Sequence, residues 1–279
     1  MIRIGEFNNL KPSRMAPHGL YLQDSQGTNI LLPRKYVPEE LNMDALMRVF
    51  IYRDNENRPI ATTLKPFVTV GNFAGLFVRQ ITPYGAFLDW GLEKDLLSPH
   101  REQEEAMAVG KRYLIYLYLD PVSGRLVATG RLKRFLIRHE FELSEGEEVD
   151  LMVWRWTDLG LKVVVNRQFE GLIYRDELFR RIGPGESLRG FVKKVREDGK
   201  LDIALEPQGV GRIEPAAQKV LDHLRLANGF LPLHDKSDPE LIKRRLEMSK
   251  KTFKKAIGSL YREQRIVIEA EGIRLVTND

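Results

Sequence analysis

The chain has 279 residues, of which 43% are hydrophobic and 30% charged, with 44 Lys and Arg against 39 Asp and Glu and no cysteine. That length accommodates two to four small domains with buried cores, and the lack of cysteine excludes disulfides, thiolate metal sites and a cysteine nucleophile. The net charge of +5 and a pI of about 9.3 favour an anionic partner. No stretch approaches the roughly 18 apolar residues of a membrane helix, and the opening MIRIGEFNNLKP has no secretory h-region. A cytoplasmic protein without membrane association is therefore expected.

In chain order, the first recurring element is His18-Gly19-Leu20-Tyr21-Leu22, a glycine that opens an alternating strand. A second follows at Tyr52-Arg53-Asp54-Asn55-Glu56-Asn57-Arg58-Pro59-Ile60, two β-rich runs around a polar turn, which is a hairpin signature. The pair returns as Tyr84-Gly85-Ala86-Phe87-Leu88 with Leu119-Asp120-Pro121-Val122-Ser123-Gly124-Arg125-Leu126. It returns again as Leu159-Gly160-Leu161-Lys162-Val163 with Val195-Arg196-Glu197-Asp198-Gly199-Lys200-Leu201. Gly19 and Gly85 are 66 positions apart, as are Asp54 and Asp120, and Gly160 lies 75 beyond Gly85. Two landmarks sharing one offset mark an internal repeat. Each copy has the length and turn spacing of a small β-barrel, whose closure removes exposed strand edges.

After Leu205 the pattern changes. Glu206-Pro207-Gln208-Gly209-Val210-Gly211 reads as a linker, and residues 215–228 as a helix with apolar Ala216, Val220, Leu221, Leu224 and, less regularly, Leu226. Gly229 stops it. Ser237-Asp238-Pro239 offers an N-cap and a proline at N1 for a helix through about Leu246. Ser249 caps a third helix with the stripe Phe253, Ala256, Ile257, Leu260 and Tyr261, and residues 266–276 read as a hairpin or wing. Lys243, Arg244, Arg245, Lys250, Lys251, Lys254 and Lys255 face a single acid, Glu247. That density suggests phosphate contact, with a solvated helix face as the alternative.

The middle copy carries the fullest pattern. Gly75-Leu76-Phe77-Val78-Arg79-Gln80-Ile81 leads into Tyr84-Gly85-Ala86-Phe87-Leu88-Asp89-Trp90; Asp95-Leu96-Leu97-Ser98-Pro99, Val109-Gly110, a strand over 113–119 and the turn between Asp120 and Arg125 follow. This resembles the S1 RNA-binding domain, an OB-fold. The whole order resembles the conserved virulence factor B family of bacteria (YitL-like proteins), with three S1 units and a C-terminal winged helix. The resemblance implies a mainly β fold with a C-terminal α+β domain: S1-type OB-fold barrels over 1–65, 66–136 and 137–208, then a winged helix over 209–279.

Single-stranded RNA offers base faces to aromatic rings and phosphates to cations. In S1 domains the binding face combines two aromatics, a histidine of the next strand, and the Asp and Arg of the late hairpin. The matching positions in the middle unit are Tyr84, Phe87, Ser98, Asp120 and Arg125. Serine replaces the histidine, and the Asp-to-Arg spacing is one longer than usual. Asp120 is expected to orient Arg125, because a carboxylate repels phosphate. In the first unit the matches are His18, Tyr21, Asp54 and Arg58, with Pro33 near the histidine position. In the third they are Leu159, Lys162, Tyr174, Arg196 and Lys200; here cations replace the paired aromatics, and backbone binding or a spacer role is expected.

Tyr84 and Phe87 are three apart and share a surface only if Gly85 bulges or bends the strand. Tyr84 and Tyr21 are expected at the surface, since a hydroxyl tolerates water. Phe87 is open between core and surface, and so is Trp90. Trp154 and Trp156 alternate about Arg155 and are expected to share a core-facing side.

An enzyme is not expected. His18, His100, His139, His223 and His234 stand in no metal spacing, and the chain has no GxxxxGK[ST], GxGxxG or GxSxG motif. Gly183-Pro184-Gly185 reads as a turn, and the pairs Glu104-Glu105 and Glu147-Glu148 lie in polar stretches. The expected protein is a cofactor-free monomer that binds single-stranded RNA, with possible duplex contact at the winged helix. The resemblance implies a post-transcriptional regulator of gene expression, of virulence factors in pathogenic relatives. Two alternatives remain: a DNA-binding transcription regulator acting through the winged helix, and a protein-binding adaptor on ribosomal or RNA-degradation machinery.

Overall fold

A computed structural model describes residues 1–137, 143–178, 182–206 and 215–276. His139, one of the five histidines found in no metal spacing, lies outside them. The chain divides into two compact units, Met1–Leu205 and Glu206–Asp279.

Unit 1 holds three five-stranded β-modules of one design. The first comprises β1 (Phe7–Ala16), β2 (Gly19–Gln23), β3 (Asn29–Pro33), β4 (Met47–Arg53) and β5 (Pro59–Thr62), closed in the order β1-β2-β3-β5-β4. The second comprises β6 (Phe73–Thr82), β7 (Gly85–Asp89), β8 (Leu96–Pro99), β9 (Arg112–Leu119) and β10 (Leu126–Thr129). The third comprises β11 (Glu148–Trp156), β12 (Gly160–Val165), β13 (Phe169–Tyr174), β14 (Ser187–Val195) and β15 (Leu201–Ala204), closed like the first. Parallel pairing of β3 with β5, and of β13 with β15, completes those two rings. In the middle module β8 and β10 lie side by side, but the sheet order β10-β9-β6-β7-β8 has no ladder between them, so that barrel is nearly rather than fully closed.

Each barrel alternates apolar-in and polar-out until its long first strand bulges, at Ser13, Arg79 and Trp154. An extra residue on one strand resets the alternation. This corrects the expectation for the tryptophans. Trp154 sits in the bulge and is 4% exposed, whereas Trp156 is 41% exposed and donates its Nε1–H to the Ile182 carbonyl at 2.9 Å.

The barrels share apolar seams. Phe50 and Tyr52 of the first barrel belong to the core of the second, where the Trp90 ring meets them edge-on at centroid distances of 5.7 and 6.3 Å. Trp90 is thus a packing residue, and its Nε1–H is satisfied by the Lys94 carbonyl. Across the second seam, Phe73, Leu114 and Leu132 pack against Trp154 and Val164.

Unit 2 contains α1 (Pro215–Leu226), β16 (Phe230–Leu231), α2 (Pro239–Leu246), α3 (Lys250–Arg262), β17 (Ile266–Glu269) and β18 (Gly272–Leu275), with sheet order β16-β18-β17. The caps act as the sequence suggests. The Asp238 carboxylate accepts from the Glu240 and Leu241 amides, and the Ser249 hydroxyl accepts from the Thr252 amide. Val220, Leu221 and Leu224 of α1 pack on Phe253, Ala256, Ile257 and Leu260 of α3. Two expected core residues do not join them. Leu226 is 84% exposed because two residues past Leu224 is the far side of a helix, and Tyr261, about 100° round the helix from the buried Leu260, lies at the edge of the core face and is 54% exposed. The strand β16 was missed, since Gly229 read as a simple stop. No helix of the described residues is long and apolar enough to cross a membrane.

Candidate nucleic-acid interface

One backbone device recurs where the second strand of each barrel begins. Gly19, Gly85 and Gly160 have φ of +150°, +147° and +150°, and each faces the end of the third strand. A Cβ on Gly85 would lie 2.2 Å from the Ser98 carbonyl oxygen and 2.7 Å from the Pro99 Cα. Glycine is therefore required by both conformation and space. The residue before it is pushed into the tight turn between strands. That residue is Tyr84 in the middle barrel, 77% exposed, and His18 and Leu159, both exposed, in the others.

Phe87, two residues into β7, is half-buried. It lines a cleft between the first two barrels together with Tyr36, Tyr52, Gln80 and Lys94. Burial lowers the Lys94 ammonium pKa below its ordinary value, although nearby Asp54 opposes this. Tyr84 and Phe87 make no ring contact with each other among the described residues. In the first barrel Tyr21 is half-buried, with the Arg14 guanidinium 4.4 Å from its ring centre.

Ser98 is a correction. The register pairs Gly85 with Pro99 and Ala86 with Ser98, as it pairs Gly19 with Pro33 and Gly160 with Tyr174. Ser98 thus stands level with the core residues Leu32 and Ile173. It is fully buried and its Oγ has no hydrogen-bond partner, so it does not line the face. An offset of one residue reverses a strand's facing. The surface counterparts are Pro33, Pro99 and Tyr174.

Directly after them come Arg34, His100 and Arg175, all exposed at the start of a short 3-10 turn. The His100 Nε2 lies 3.1 Å from the Thr82 carbonyl, and Arg175 donates to the Thr157 carbonyl at 3.2 Å. These basic positions were missed, although a constant spacing of 15 residues from Gly19, Gly85 and Gly160 marks them in the sequence.

The late hairpins differ among the barrels. In the first, Arg58 donates through Nε and Nη2 to Asp54 Oδ2 at 2.9 and 2.8 Å. Burial raises the Asp54 carboxyl, but backbone and side-chain hydrogen bonds from Arg58 more than offset it, and the net shift is downward. In the middle barrel the extra turn residue changes the outcome. Asp120 accepts from the Ser123 hydroxyl at 2.6 Å, which holds its pKa low, and it does not pair with Arg125. The expected orientation of Arg125 by Asp120 is corrected accordingly. Arg125 is exposed and makes no ion pair among the described residues.

In the third barrel the cations are engaged internally. Arg196 donates to Asp202 at 2.8 Å and to the Tyr174 hydroxyl at 2.5 Å. Lys162 pairs with Glu170 at 2.8 Å while lying 5.1 Å above the Trp154 ring, and Lys200 pairs with Asp198.

In unit 2, α3 turns Phe253, Ala256, Ile257 and Leu260 to the core. At 100° per residue, Lys251, Lys254, Lys255, Gly258 and Arg262 fall on the opposite side. Lys251, Lys254 and Lys255 are exposed, as are Lys243 and Arg244 on α2. Lys250 is half-buried and donates to the Lys236 carbonyl at 3.3 Å. The neighbouring acid, Glu247, is bound by Lys219 at 2.6 Å.

Residues 218–275 match the CvfB-like winged helix domain, and residues 4–64 match the S1 domain. Unit 2 is a CvfB-like winged helix. Ahead of this CvfB-like winged helix, the matched S1 region spans all five strands of the first barrel. The chain is 28% identical to the uncharacterized protein YitL of Bacillus subtilis over 96% of its own length and 92% of that protein. It is 26% identical to conserved virulence factor B of Staphylococcus aureus over 91% and 88%. A multidomain protein with nucleic acid binding domains from Streptococcus pneumoniae shares 24% identity over 98% of each chain, with a TM-score of 0.46.

Proposed function

We propose that this chain binds single-stranded RNA through the S1 face of its middle barrel, supported by the basic faces of α2 and α3. It acts without catalysis, as a cytoplasmic, monomeric, post-transcriptional regulator of gene expression. The observation that carries the reading is Tyr84, an aromatic ring 77% exposed, on a barrel whose hairpin also presents Arg125 without an ion pair. A ring in water stacks on any base, and an uncompensated guanidinium meets phosphate. The S1 match and the names of the Staphylococcus relatives support the regulatory part, including a role with virulence factors in pathogenic relatives.

The test is binding of the full chain to a labelled single-stranded RNA of about 20 nucleotides, long enough for more than one OB-fold site, beside duplex DNA and across a salt series. Expected are a preference for the RNA and a loss of about 1–3 kcal/mol in Tyr84→Ala, the contribution of one stacked base. Arg125→Gln should flatten the log–log salt slope by about 0.7, one phosphate of a single strand. The lysine face of α3 favours a second reading, duplex binding through the winged helix. Preference for duplex DNA, unmoved by Tyr84→Ala and Arg125→Gln, would decide for it.

A further inference from the structure

A second surface of unit 1 has aromatic and cationic character, at the seam between the second and third barrels. Phe67 and Phe77 are 65% and 54% exposed and line one depression of about 490 Å³. Isolated exposed rings are ordinary, but two on one concave surface mark a contact site. Arg112 and Arg167 line it too, and neither makes an ion pair among the described residues. The acid present, Asp89, is bound by Arg79 at 2.8 Å. The charge left over is therefore positive.

The seam itself builds this site. Gly75 and Gly185 bring the two barrels into backbone contact: a Cβ on Gly75 would lie 2.5 Å from the Gly185 Cα and 2.7 Å from the Arg112 Nε. Arg112 lies across this contact, donating Nε–H to the Gly75 carbonyl at 3.1 Å, with its guanidinium carbon 5.8 Å from the Phe77 ring centre. Arg167 comes from the third barrel, in the turn between β12 and β13. Neither barrel alone supplies both guanidinium groups.

We propose that this seam is a second site for single-stranded RNA, in which a base stacks on Phe77 and the flanking phosphates meet Arg112 and Arg167. The proposal rests on the RNA-binding reading above and extends it to a surface outside the Tyr84 face. Gln80, paired with Phe87 in the sheet, is three residues from Phe77 along β6. At about 3.3 Å per residue that is roughly 10 Å, so one strand of RNA reaches both surfaces.

The experiment is photo-crosslinking of the full chain to a 4-thiouridine-substituted single-stranded RNA, with peptide mapping, beside affinity measurements on Phe77→Ala and Arg167→Asn. Both side chains are exposed, and unchanged circular dichroism confirms folding of the variants. Expected are crosslinks in the Phe77 segment as well as near Tyr84, binding about tenfold weaker in Phe77→Ala, and a salt slope flatter by about 0.7 in Arg167→Asn. Crosslinks near Tyr84 alone, with Phe77→Ala at wild-type affinity, would overturn the seam site and leave the proposed function standing. A chain that binds no RNA overturns both, and a Phe77-dependent protein contact would then assign the seam to a protein partner.

Discussion

Replacing Gly85 by alanine tests the device that presents Tyr84. The added Cβ would sit 2.2 Å from the Ser98 carbonyl oxygen and 2.7 Å from the Pro99 Cα, about 1.3 and 0.8 Å inside ordinary contact of about 3.5 Å. Both neighbours are backbone, so no side chain can rotate away and β8 must shift by about 1 Å. Overpacking of this kind costs about 1–3 kcal/mol, and a φ of +147° on a residue with a Cβ adds about as much. A loss near 3 kcal/mol is expected, a large share of the 5–15 kcal/mol typical of a domain. The assay is urea unfolding followed by tryptophan fluorescence, to which Trp90, 2% exposed at the seam of the first two barrels, contributes beside Trp154 and Trp156. A midpoint lower by about 1–2 M is expected for ordinary urea slopes. Gly27→Ala is the control, because its φ of +85° carries conformational strain but nothing lies within 4 Å of an added Cβ. The reasoning is refuted if Gly85→Ala unfolds within 0.5 kcal/mol of the wild type, a surface-mutation effect, or if Gly27→Ala costs as much.

Three further predictions follow from the packing. Phe50→Ala removes a fully buried ring that meets Phe7 and Trp90 at 5.5 and 5.7 Å; it should cost about 3–5 kcal/mol and red-shift Trp90 emission, and an unshifted spectrum would contradict the shared core. Burial pushes the Tyr52 phenol up to about 12 from 10.0. The folded state holds that proton more tightly, so its contribution to stability is complete below pH 10 and declines as pH rises from 10 to 12; a spectrophotometric titration in which every tyrosine ionises near 10 would rule this out. Gly258→Ala on α3 meets open space and should raise the stability of the C-terminal unit by about 1 kcal/mol, read as a higher melting temperature; an unchanged or lower one would show that the glycine is needed where it stands.

Some of the site was legible from spacing. The repeat of Gly19, Gly85 and Gly160 with the hairpins behind them announced three barrels, because a glycine forced by a backbone contact cannot drift. The constant 15-residue step to Arg34, His100 and Arg175 was equally readable and went unread. Ser98 was misplaced by one residue, since a motif match fixes approximate position while facing depends on register. The alternation rule failed at Trp154 and Trp156 because a bulge inserts a residue that periodicity does not show.

What the sequence by itself determined was local: strand and turn order, helix caps at Asp238 and Ser249, the apolar stripe of α3 and its lysine face. These follow from backbone conformation and from neighbours a few positions apart. Tertiary structure alone decided which side chains are available to a ligand. Asp54 holds Arg58 whereas Asp120 leaves Arg125 unpaired, because one extra turn residue moves the guanidinium out of reach. Trp90 belongs to the seam because Phe50 and Tyr52, some forty residues earlier, arrive there. The site around Phe77 and Arg112 exists because Gly75 and Gly185, far apart in the chain, touch.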